Sequence, residues 1–120
     1  MVYHTLVKPE ARITNYLTRY SGITEAMLSD VDTRLSDVQR ALRELLPPDA
    51  ILVGQSLDSD LHALRMMHPY VIDTSVIFNL SGVRARKTKL AVLASRFLGQ
   101  SIQQDGKHGH SPIEDAQAAM

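Results

Sequence analysis

The run Ala50-Ile51-Leu52-Val53-Gly54 limits the fold more than any other stretch of the chain. It is short and wholly apolar, and turn formers bound it, with Pro47-Pro48 just before. A strand that is apolar on both sides must be covered on both sides, which is the situation of a strand in a parallel sheet between helices. Parallel neighbours need long crossover connections, usually helical. A helix is predicted from about Ser59 to Met67, and a second short strand at Tyr70-Val71-Ile72-Asp73-Thr74. That pattern specifies an α/β fold around a partly parallel sheet.

The flanking segments extend the pattern. Val2 to Val7 is β-rich and ends at Lys8-Pro9, so a strand is expected essentially from residue 1. A domain that opens in mid-strand suggests that the chain is truncated at its N-terminus. Ile13 to Tyr20 reads as irregular, Ser21-Gly22 as a turn, and Thr24 as the N-cap of a helix through Leu28. Ser36-Asp37-Val38-Gln39 fits a capping box, with Leu35, Val38, Leu42 and Leu45 at helical spacing until Pro47. After a polar loop from Gly82 to Thr88, a helix through Leu90, Leu93, Ala94 and Phe97 should end at Gly99. Ser111-Pro112-Ile113-Glu114 combines a second capping box with proline at the first helical position.

Composition excludes more than it assigns. Thirteen basic and thirteen acidic side chains cancel, so contact with nucleic acid must be local. The absence of cysteine excludes disulfides, zinc ribbons and a thiol nucleophile. No apolar run reaches the roughly 20 residues of a membrane span, and the N-terminus lacks the features of a signal peptide. An intracellular protein with no membrane contact is the expectation.

Two places carry chemistry. On the helix after the apolar strand, Leu57, Leu61 and Leu64 define an inward face and Asp60 falls beside them. A carboxylate turned toward a core costs several kcal/mol unless its charge is offset. The alternative is a helix-dipole role in the first turn, worth ~0.3–1 kcal/mol. The smaller dipole term favours a bound metal. In His110-Ser111-Pro112-Ile113-Glu114-Asp115, Glu114 is accounted for as the capping acid, whereas Asp115 has no capping duty and shares the small-residue side of Ala119. His110 lies in the preceding loop, either solvated or reaching a site, and His108 with His110 is a weak two-ligand pair.

Leu52-Val53-Gly54 with Asp60-Leu61 resembles the second motif of the DEDDh 3′→5′ exonuclease superfamily, and His110 with Asp115 resembles its third. Val7-Lys8-Pro9, Ile13 to Thr18, Ser21 to Thr24 and His68 to Ser75 are similar to the eukaryotic RNA exonucleases of the Rex group. The resemblance implies one partial domain over residues 1–120, with the motifs at 50–64 and 110–120. It implies a ribonuclease H-like fold lacking the first two strands of its mixed sheet, with residues 2–7 as the third. Asp60 and Asp115 would be metal ligands and His110 the general base. The cofactors would be two Mg²⁺ or Mn²⁺ ions about 4 Å apart, the substrate RNA with a free 3′ end, and the setting nuclear or nucleolar. Where many relatives have histidine after Leu-Val-Gly, this chain has Gln55, a position that is not a metal ligand in the family. The first-motif Asp-x-Glu is absent, so this polypeptide alone is expected to be nearly inactive.

Two other readings stay open. Arg84, Arg86, Lys87 and Lys89 form a small basic cluster, either a solvated loop or a phosphate contact of a non-catalytic RNA- or protein-binding module. A DEDDh enzyme acting on DNA is the third. The residues themselves do not separate RNA from DNA.

Overall fold

In a computed structural model, residues 2–83, 86–103 and 110–120 are described. They divide into two compact units. Residues 2–48 with His110 form the first, and residues 49–103 with 111–120 the second.

The first unit is helical. Helix α1 (Thr18–Ser21) occupies a stretch read from sequence as irregular, and Gly22 closes it in the left-handed region with its N–H on Thr18 O. Helix α2 (Glu25–Leu28) starts as expected, Thr24 Oγ1 accepting from the Met27 N–H. Helix α3 (Leu35–Leu45) stops before Pro47-Pro48 but begins earlier than the Ser36 capping box requires. Asp37 caps it instead, its carboxylate accepting from the Arg34 N–H at 2.9 Å. Leu28 and Val38 are the buried apolar residues of this unit.

The strand expected at 2–7 does not form. Lys8 N–H bonds Thr33 O, the Lys8 ammonium bonds Ser29 O, and the Arg34 guanidinium clasps Lys8 O and Pro9 O. The segment's end is thus tied to residues 29–34 by one backbone bond and by the Lys8 and Arg34 side chains, and no described strand offers its backbone a ladder.

The second unit holds the sheet. Strands β1 (Leu52–Gly54) and β2 (Val71–Asp73) run parallel, pairing Leu52 with Val71, Val53 with Ile72 and Gly54 with Asp73. The parallel pairing matches expectation; burial on both faces does not. Ile51 is 60% and Val53 41% exposed, because a two-stranded sheet leaves most of each face uncovered among the described residues. Gly54 is buried, and a Cβ there would come within 2.6 Å of Leu57 Cδ2. Glycine lets Leu57 fold back over the strand.

Helix α4 (Leu57–Ala63) follows, starting and ending earlier than predicted. It ends in a Schellman motif: Arg65 takes a left-handed φ of 50°, its N–H bonds His62 O, and the Met66 N–H bonds Leu61 O. Helix α5 (Thr74–Ile77) continues directly from β2 with Asp73 as its N-cap. Helix α6 (Leu90–Leu93) widens into a π-helical turn, Ala94–Leu98, which Gly99 closes at φ 63° with its N–H on Ala94 O. Phe97 in that turn packs on Phe78, ring centroids 5.2 Å apart. Helix α7 (Pro112–Ala119) has the predicted Ser111 cap and leading proline. Leu90, Ala94, Ile102 and Ala119 form the unit's core.

Asp73 joins the two strand ends. Its Oδ1 accepts from the Ser56 N–H (2.8 Å), the Ser75 N–H (2.9 Å) and the Ser75 hydroxyl (2.6 Å). Burial pushes its pKa up, but the bonds from Ser75 and Ser56 and the nearby Lys87 outweigh that, leaving it below the usual carboxylate value. A depressed carboxylate contributes stability above its unfolded pKa and loses it as pH falls through the folded value. Asp73→Ala should therefore lower stability at pH 7 by about 1–2 kcal/mol in urea denaturation, with a smaller deficit toward pH 3.

Candidate catalytic and metal-binding residues

Asp60 lies in α4, the helix leaving the carboxyl end of β1, where ligand sites of open parallel sheets form. Leu57, Leu61 and Leu64 are half-buried, whereas Asp60 is exposed. The inward orientation expected from sequence is corrected by the helical wheel. The three leucines span an arc of roughly 60°, and Asp60 falls about 40° outside it. The carboxylate occupies the rim of the apolar stripe.

Its electrostatic setting is unfavourable to charge nevertheless. Desolvation raises the Asp60 pKa, a bond from its own N–H opposes this, and the Asp58 and Asp73 carboxylates add to the rise. Asp58 is exposed and has its own cation, Lys87, at 2.7 Å. Its pKa falls chiefly through that hydrogen bond. Among the described residues no cation pairs with Asp60.

Asp115 is half-buried on α7, one turn before buried Ala119, and α7 packs near β1 and α6. Sequence left this carboxylate without a partner; the structure gives it one, the Gln103 amide donating to Oδ1 at 2.8 Å. Glu114 differs from its assigned role in the same way. Ser111 Oγ accepts from the Glu114 N–H, but the Glu114 carboxylate accepts from the Gln103 N–H, so it braces the preceding loop. Gln103 sits at φ 60° between these bonds. A glutamine anchoring a carboxylate has no sequence signature.

His110 belongs to the first unit, is exposed, and its N–H bonds Tyr20 O at 3.3 Å. In the basic cluster, Lys87 is held by Asp58, while Arg86 and Lys89 are exposed. Arg84 and His108 lie outside the described residues. Asp60 and Asp115 offer the oxygen donors that Mg²⁺ and Mn²⁺ take, and the negative surroundings of Asp60 suit a cation. Among the described residues no group of three His, Asp or Glu side chains gathers.

A family profile described as Exonuclease matches residues 1–120. RNA exonuclease 5 of Rattus norvegicus is 54% identical over 96% of this chain and 15% of its own length. The human protein of that name is 52% identical over 99% and 15%. RNA exonuclease 1 of Saccharomyces cerevisiae is 40% identical over the whole chain and 21% of its own length. The chain thus spans about a fifth or less of these relatives. Among solved structures, the Neurospora crassa Pan2 catalytic unit (protease and nuclease domain) aligns with a TM-score of 0.77 at 33% identity, over 92% of this chain and 19% of that one. The S. cerevisiae Pan2 pseudoubiquitin hydrolase–RNA exonuclease module in complex with AAGGAA RNA gives 0.76 at 32%, over 94% and 19%. The small parallel sheet with its helices is consistent with an incomplete ribonuclease H-like exonuclease fold.

The raised Asp60 pKa gives a test. A raised carboxylate favours the protonated folded state, so its ionisation opposes folding at neutral pH, and this penalty disappears below the unfolded pKa. Asp60→Asn removes it. The variant should melt above the parent at pH 7 and together with it near pH 3, as followed by circular dichroism.

Proposed function

The chain belongs to the exonuclease family, and from that premise we propose that it carries part of the catalytic centre of a 3′→5′ exoribonuclease. The substrate is RNA with a free 3′ end, and the products are nucleoside 5′-monophosphates. The observation that supports this most is Asp60 at the carboxyl end of β1, among like charges and without a paired cation among the described residues. RNA as substrate is supported by the names of the relatives and by Pan2 structures in complex with RNA. A nuclear or nucleolar setting follows from the Rex-group resemblance alone.

Asp60 and Asp115 would hold divalent cations, Mg²⁺ or Mn²⁺, which when bound offset the charge of the scissile phosphodiester and acidify the attacking water. The Gln103 amide fixes the Asp115 carboxylate, so that one oxygen is committed and the other is directed. On the family resemblance, the role of His110 is to accept the proton as the water oxygen attacks phosphorus and the 3′ oxygen of the shortened RNA leaves. Arg84, Arg86, Lys87 and Lys89 supply contacts to backbone phosphates upstream of the scissile bond. The resemblance calls for two further carboxylates in an Asp-x-Glu, which these residues do not contain.

The test supplies those carboxylates. This chain replaces the matching segment of rat RNA exonuclease 5, and 5′-labelled single-stranded RNA is followed with Mn²⁺. The expected result is shortening in single-nucleotide steps, ended by chelation. Asp60→Asn or Asp115→Asn should each lower kcat at least about a hundredfold, and His110→Ala about 10²–10⁴-fold. A chimera that binds RNA without degrading it would instead favour the binding module, and equal degradation of matched DNA would remove the RNA assignment.

A further inference from the structure

Gln55 follows β1 at the position where its sequence reading assigned it no ligand role, yet its amide is used at both ends. Its Nε2 donates to Thr88 O at 2.7 Å, and its Oε1 accepts from the Thr74 hydroxyl at 2.6 Å. Thr74 is buried and shares the same hydroxyl proton with Gly54 O at 3.0 Å. The Thr88 carbonyl can only accept, so the amide has one allowed orientation. Thr88 is held a second time, its Oγ1 accepting from the Leu80 N–H at 2.9 Å. Within the same loop the Ser81 hydroxyl bonds Asn79 Oδ1 and Arg86 O.

Lys87 adjoins this twice-held residue. Its ammonium reaches Asp58 Oδ1, three residues beyond Gln55. Gln55 and Asp58 therefore grip neighbouring residues of the loop at two points, one neutral and one charged. An ammonium has three donors, and among the described residues Lys87 uses one, on exposed Asp58, which leaves two for a ligand. The charge is thereby fixed beside the first turn of α4, which also carries Asp60.

We infer that Gln55 is a positioning residue, which by holding Thr88 sets the Lys87 ammonium beside α4 as a contact for a phosphate of the RNA chain. The inference rests on the proposed RNA substrate and adds the residue that aligns the contact. Sequence alone could not have found it, because the amide's partners lie 19 and 33 positions away.

The test uses the 120-residue chain and its Gln55→Glu variant, which keeps the acceptor for Thr74 but loses the donor to Thr88. Gln55→Met serves as a second variant if glutamate unfolds the junction. Limited trypsin digestion reads the loop through cleavage after Lys87 and Lys89. Fluorescence anisotropy of a labelled oligouridylate across a salt series reads the phosphate contact. Gln55→Glu should speed cleavage about fivefold, the effect of losing one net hydrogen bond. The log–log salt slope should become shallower by about 0.7, the value for one phosphate on a single strand. Lys87→Ala should change the slope equally, and the double variant no further. Cleavage at the parental rate, or a slope that Lys87→Ala alters and Gln55→Glu does not, would overturn the inference. A parent chain that binds no RNA overturns the phosphate contact whatever the trypsin pattern, while the function on which the inference rests fails separately, if the chimera does not degrade RNA.

Discussion

A single oxygen, Asp73 Oδ1, accepts three hydrogen bonds at the point where both parallel strands end. The register pairs Gly54 with Asp73, so the carboxylate meets the backbone that has just left β1. Ser56, held there at a left-handed φ of 58°, is a conformation that costs a non-glycine residue of order 1 kcal/mol or more. The bond from its N–H to Asp73 offsets that cost and aims α4. Everything downstream inherits this: the rim position of Asp60, the pairing of Asp58 with Lys87, and the reach of Gln55 to Thr88.

Local signals were legible where the chemistry is local. Thr24, Ser111-Pro112, Pro47-Pro48 and Gly99 mark their boundaries as expected, because each acts within one turn of itself. Both strands were visible as apolar runs, and their parallel pairing followed from the helix between them. The errors share a cause. Val2 to Val7 has strand composition but no described strand to pair with, and its end is held instead by the Arg34 guanidinium and by bonds from Lys8 to the Ser29 and Thr33 carbonyls. The Ser36 capping box was a fair local pattern, displaced when Asp37 capped the Arg34 N–H. Asp73 was hidden inside a strand pattern, and its second task, accepting from the Ser56 N–H, depends on a residue 17 positions away.

The candidate site divides in the same manner. Asp60 and Asp115 are the carboxylates the sequence singles out, and Asp60 lies exposed on the rim of its helix instead of facing inward. Its exposure removes the cost of deep burial, and what remains is repulsion from Asp58 and Asp73 on top of partial desolvation. Asp115 stands in the opposite setting, steadied by a neutral amide. One carboxylate is poised by its surroundings to attract a cation, and the other is oriented. Asp58 is visible two residues from Asp60 in the sequence, whereas Asp73 and the Gln103 amide act across the fold.

The π-helical turn at Ala94–Leu98 has a consequence for how the chain can vary. A π turn holds one residue more than an α turn over the same span, so losing any one residue here would let the helix close to regular geometry. Five π residues cover about the rotation and rise of four α residues, so the positions after the deletion would keep their places. The change would fall on the turn itself, where Phe97 packs on Phe78. This stretch can therefore lose one residue without turning Ile102 out of the core it shares with Ala119.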